Sequence, residues 1–233
     1  MSALGVLVRK ELHATFTSPI AYAVGTVFLL VVGYTFSLTL FFTKAANLTY
    51  IFHQMYVLLI LLVPVLTMRA FAEERKTDTL ELLLTAPVRE VAIVLAKFLA
   101  ALALVACLLA ASGSYAVVLG LYGEPDWAPI YGGYLALFLL SCLLVSVGTL
   151  TSSLTENQVV AAAASLGTFL MLWFADSVAY LTPAPFDVFF INLSLIGHFT
   201  TFVRGSLFLS DAGYYLTLSL LALFLTTRAL ADR

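Results

Sequence analysis

The chain has 233 residues, 62% hydrophobic and 10% charged, with a net charge of -2 and a mean hydropathy of +1.06. A soluble domain carries roughly 25% charged residues. A single water-facing globule is therefore excluded, and the fold class is all-α, a polytopic membrane protein in one domain over 1–233.

Residues 2–17 are too polar to span a membrane. Leu4, Leu7, Val8, Leu12 and Phe16 recur at helical spacing while Arg9, Lys10 and His13 fall off that stripe, so an amphipathic interfacial helix is predicted. Ser18-Pro19 then supplies a cap and a proline for the first helical position. Long apolar segments follow at 19–42, 51–68, 91–121, 131–151, 158–180 and 214–230. Each is near the length of about 20 residues that a span requires. The third is longer and is expected to tilt or to extend beyond the membrane. Cys107 and Cys142 lie inside apolar runs and read as packing residues, with no redox or metal spacing around them.

Segment 181–213 is apolar but broken by Pro183, Pro185, Asp187, Asn192, Gly197, His198, Arg204, Gly205, Asp211 and Gly213. A re-entrant outer-leaflet hairpin is predicted there, in preference to a seventh span that would bury Asn192 and His198. With the N-terminus inside, Arg9, Lys10, Arg69, Arg75, Lys76, Arg89, Lys97, Arg228 and Arg233 fall on the cytoplasmic side; Lys44 and Arg204 fall outside. That asymmetry predicts cytoplasmic N- and C-termini.

Charge concentrates in one place. Arg69, Glu73, Glu74, Arg75, Lys76, Asp78 and Glu81 form an island between the second and third segments. Asp78 is expected to cap a short helix, with Glu81 reaching back to it, Leu80, Leu82, Leu83 and Leu84 making an apolar face, and Pro87 ending it. Such an element fits a groove on a soluble partner. No Walker A pattern precedes Lys76-Thr77, so any ATP-driven function needs another subunit. HExxH and GxSxG patterns are absent. Glu73-Glu74 matches the start of an intramembrane-protease glutamate motif, but Asp78 stands where that motif needs arginine. Asp176, His198 and Arg204 are candidates for an outer gate, with a local Asp176–Arg204 pair as the plainer alternative; Lys97 reads as a residue reaching to the inner interface.

The run Phe71 to Val88, followed by Ile93-Val94-Leu95-Ala96-Lys97-Phe98, resembles the signature of ABC-2 type transporter permeases. Arg9-Lys10-Glu11-Leu12 with Ser18-Pro19-Ile20-Ala21-Tyr22 resembles their connecting helix and first span, and Ser152 to Gln158, including Glu156 and Asn157, their second cytoplasmic turn. His198-Phe199, Arg204-Gly205, Asp211 and Tyr214-Tyr215-Leu216 resemble the tail of the gliding-motility-associated branch. The resemblance implies an export permease of the bacterial cytoplasmic (inner) membrane, not itself an enzyme, that pairs with a second copy or paralogue. It implies two ABC ATPase subunits that bind ATP and Mg, with no cofactor or metal in this chain. Membrane lipids are the other expected partners, and nucleic acid is not one. Glu73, Glu74, Arg75, Asp78, Leu80, Glu81, Leu83, Leu84 and Pro87 would couple to the ATPase. The small residues Gly25, Gly33, Ala161 and Ser165 would suit the dimer seam. A non-transporting scaffold using the same loop, or an intramembrane enzyme, are the alternatives.

Overall fold

A computed structural model describes residues 3–43, 47–79, 88–183 and 186–231. Regular structure among the described residues is helical: α1 (Ala3–Thr17), α2 (Pro19–Thr43), α3 (Thr49–Thr67), α4 (Ala72–Lys76), α5 (Glu90–Tyr122), α6 (Trp127–Leu154), α7 (Gln158–Leu181), α8 (Phe186–Leu193), α9 (Leu195–Val203) and α10 (Leu209–Ala231). Helices α2, α3, α5, α6, α7 and α10 are long and apolar enough to cross a membrane. They begin and end within a few residues of the apolar segments, because in lipid the backbone must satisfy its own hydrogen bonds and the helix runs as far as the apolar sequence does.

Local chemistry sets several helix starts. Asp126 accepts from the Ala128 backbone N–H at 3.2 Å and opens α6. Asn157 accepts from Val159 at 2.9 Å and Val160 at 3.4 Å and opens α7. Ser194 accepts from Gly197 at 3.2 Å and opens α9. These acceptors occupy donors that the first helical turn leaves without partners.

Helix α6 is the hub. It packs against α3, α4, α5, α7, α9 and α10, and 72% of its most apolar window is buried, against 22% for α7. Its glycines let neighbours close in: a Cβ at Gly133 would strike the Phe52 ring of α3, one at Gly148 the Thr67 side chain, and one at Gly132 the Phe202 carbonyl of α9. Helix α1 lies against α5. Its Arg9, Lys10 and His13 are exposed while Leu4, Leu7, Val8 and Leu12 are half-buried, as the amphipathic pattern predicts; Phe16 stays exposed.

Helices α8 and α9 meet at 61°. At 1.5 Å per residue each is only about 12–14 Å long, against a hydrocarbon core of about 30 Å. Helix α7 leads into the pair. Past its end, Gly205 adopts φ +83 and lies against Ala128 and Pro129 at the start of α6. The short 155–157 turn makes α6 and α7 antiparallel neighbours, so the start of α6 is also where α7 finishes. The pair thus returns to the end of the bundle that it left, as a re-entrant hairpin.

Two ends can now be told apart. One carries α1, α4 and the 155–157 turn and is the charged end. The other carries the 123–126 turn and the α8–α9 hairpin. The predicted Asp78 helix falls mainly on residues 80–87. Leu80, Glu81, Leu83, Leu84 and Pro87, like Lys44, lie outside the described residues. Asp78 itself has φ 55 and follows the end of α4, its N–H bonded to the Arg75 carbonyl at 3.1 Å. It therefore turns the chain in the left-handed region, which Asp tolerates better than most residues, and lacks the extended backbone of the expected cap.

Candidate functional site

At the charged end, α3 passes into α4 through a turn that α6 holds in place. The Ser152 hydroxyl accepts from the backbone N–H groups of Phe71 at 3.0 Å and Ala72 at 3.1 Å. It donates to the Met68 carbonyl at 3.0 Å. One hydroxyl thus uses its donor and both lone pairs on the turn entering α4. The sequence pattern placed Ser152 in the second cytoplasmic turn, but nothing in it linked that residue to the first.

A buried ion network sits beside this clamp. Lys97, near the start of α5, has a side chain only 5% exposed and lies 2.7 Å from Glu74 and 3.4 Å from Glu11. Its ammonium also sits 5.2 Å from the centre of the Phe71 ring, within cation–π range. The expectation that Lys97 reaches out to the interface is corrected: two carboxylates, from α1 and α4, hold it inside. A buried ammonium needs such partners, because desolvation otherwise disfavours its charge. A cleft of ≈ 280 Å³ opens beside it, lined by Glu11, Ser18, Thr67, Arg69, Glu73 and Lys97 among others.

The predicted coupling residues therefore divide. Glu74 and Arg75 are largely internal, whereas Glu73, Lys76 and Asp78 face outward. Arg69 and Glu73 form an open pair at 3.9 Å, of the exposed kind that adds little stability. Glu156 and Asn157 are exposed, and α4 packs against both α6 and α7. Both predicted contact segments thus share the charged end.

At the opposite end, His198 of α9 bonds through Nδ1 to Asp211 of α10 at 2.8 Å, and Nε2 lies 3.2 Å from the Asn192 carbonyl of α8. Thr201 donates to the other Asp211 oxygen at 2.5 Å. Tyr214 stacks on the His198 ring at 4.2 Å and donates to the Leu193 carbonyl at 2.7 Å. Among the described residues, no ion pair joins Asp176, His198 and Arg204. Arg204 is exposed at the end of α9, and Asp176 lies half-buried on α7. Asp211, read from the sequence only as an interruption and as part of the tail resemblance, is the actual partner of His198.

Residues 6–201 match the family model of the ABC-2 family transporter proteins. The chain belongs to that family. Comparison with curated proteins finds no match. The matched span of this ABC-2 chain begins in α1, includes the clamp and the Lys97 network, and ends within α9, so Arg204, Asp211 and α10 lie beyond it. ABC-2 proteins are transmembrane permease components, and the family works with ABC ATPases. Gly25 and Gly33, which suit a dimer seam by size, face Leu108 and Tyr115 of α5 in the same chain. Ala161 and Ser165 are buried within it. All four already serve intrachain packing.

Proposed function

We propose that this ABC-2 chain is the permease subunit of an ATP-driven exporter in a bacterial cytoplasmic membrane, with the charged end in the cytoplasm. Two copies, or one copy and a paralogue, form the path. One ATPase docks on each copy at the surface made by α4, the segment that follows it and the 155–157 turn. The observation that supports this reading is how α4 is tied down. Ser152 connects its entry to α6, and Glu74 connects it through Lys97 to α5 and to Glu11 of α1. A push on α4 reaches three helices, α1, α5 and α6, without passing through a loop. Coupling follows if the ATPase binds two arrangements of these helices with different affinity.

The likeness of the tail to the gliding-motility-associated branch rests on residues 198–216, most of them beyond the matched span. It names no substrate.

Leu83→Asp and Glu73→Lys are the direct tests, since Glu73 faces solvent and Glu74 is internal. Each is expected to reduce transport, ATPase stimulation and co-purification of a P-loop ATPase while the chain remains inserted. Unchanged transport and ATPase stimulation in both variants would move the docking site elsewhere.

A further inference from the structure

Tyr56 of α3 is 1% exposed, and its hydroxyl is buried without a hydrogen-bond partner. A phenol O–H both donates and accepts, and leaving it unpaired inside a bundle is costly. Its ring is well engaged: Trp173 of α7 lies edge-on at 5.9 Å and Phe199 of α9 at 4.9 Å. Phenylalanine would serve that packing as well, so the hydroxyl is the part that this arrangement does not use.

Helix geometry identifies the group it leans toward. Helix α3 runs from the hairpin end to the charged end, and α7 runs back. Side chains tilt toward the N-terminus of their own helix, so Tyr56 leans toward the hairpin end. Asp176 follows Trp173 by three positions, which puts it on the same face of α7 and one turn nearer that end. Its side chain leans the opposite way, back toward Tyr56. Asp176 is half-buried, and no ion pair engages it among the described residues. The groups whose charge reaches the Tyr56 hydroxyl are Tyr214 and Asp176. Tyr214 already donates to the Leu193 carbonyl at 2.7 Å, which leaves Asp176 as the acceptor. A carboxyl oxygen accepts from a hydroxyl whether or not the group is ionised, so the pairing needs no titration.

We propose that a second arrangement of α7 against α3 brings the Tyr56 hydroxyl onto Asp176, and that the arrangement described above gives up this bond for the ring contacts with Trp173 and Phe199. Helix α7 is the span best able to move: 22% of its most apolar window is buried, the lowest share of the six. Helix α8 packs on α7, so a shift of α7 carries the hairpin with it. Each arrangement lacks a contact that the other makes, which is the property of a two-state element.

The test uses the full-length chain in lipid nanodiscs without an ATPase, so its result is independent of the proposed function. Spin labels at Tyr50→Cys of α3 and Tyr180→Cys of α7, both exposed positions, are placed in a background without Cys107 and Cys142. Labelled chain is diluted into unlabelled chain so that only distances within one copy are read. Two α3–α7 distances are expected. Tyr56→Phe and Asp176→Leu should each lower the minor population about tenfold, the loss of one buried hydrogen bond, and the double variant should lower it no further. Asp176→Asn keeps an acceptor and should lower it less. Tyr56→Phe should also raise the melting temperature by about 2–4 °C, because it removes an unpaired hydroxyl from the main arrangement. A single distance in the parent chain, populations that ignore both substitutions, additive effects in the double variant, or a melting temperature lowered by Tyr56→Phe, as a water-bridged hydroxyl would give, would each overturn the pairing.

Discussion

The two ends of the bundle hold their short helices by different chemistry. At the charged end, α4 is fixed by a serine hydroxyl on backbone atoms and by a lysine between two glutamates. At the opposite end, the hairpin is seated by a histidine, an aspartate and two tyrosines. The charged end thus rests on an ion network across three helices, the other on hydrogen bonds involving one imidazole, two phenols and one carboxylate.

Substitutions that attack one end and spare the other test this contrast. Lys97→Ala should have the largest effect. It leaves Glu11 and Glu74 poorly solvated and unpaired, and breaking such a pair costs about 3–5 kcal/mol when fully buried. About 3 kcal/mol is expected, because both carboxylates keep partial access to water. Thermal unfolding in detergent would show it. Adding Glu74→Gln should recover part of the loss, and a double-mutant cycle measures the coupling.

Gly132→Val comes next and acts at the other end. The new side chain meets the Phe202 backbone carbonyl, which has no rotamer to yield with. Overpacking of this kind costs about 1–3 kcal/mol. Its signature is selective: hydrogen exchange should quicken across α9 and leave α4 unchanged. Ser152→Ala is the converse, expected to cost about 2 kcal/mol by stranding two buried N–H groups and a carbonyl. Exchange should quicken at Phe71 and Ala72 while α9 keeps its protection. If either substitution loosens both ends equally, the ends are not independent. Asn157→Ala should be smallest, about 1 kcal/mol for a helix cap, read as a small drop in melting temperature.

How much of this was legible in the sequence follows from the range of each interaction. The six long helices were, because hydropathy is summed over about 20 neighbouring residues. The hairpin was too, since Pro183, Gly205 and the polar residues between them break any continuous span. The Lys97 network was not, because its partners lie 86 and 23 residues away and no local pattern marks them. Likewise Ser152 and Phe71 are 81 positions apart, and a serine near a helix end has many ordinary explanations. His198 stood out as a polar residue in an oily segment. Its partner was not legible, because Asp176 and Arg204 were as conspicuous as Asp211, and only the fold shows that Asp211 is within reach. The glycines and small residues of α2 and α7 were recognised as packing positions, but pattern alone does not tell a neighbour in the same chain from one in a second copy.

Helix α6 touches more of the bundle than any other helix, yet between Trp127 and Leu154 it has no acidic or basic side chain. The membrane potential acts on charge, so it exerts no direct pull on the side chains of this helix, and none of them is an ion that could trade partners as its neighbours move. Helix α6 is therefore the shared uncharged axis of the bundle, touched by α4 at Ser152 near its end and by α9 at Gly132 near its start.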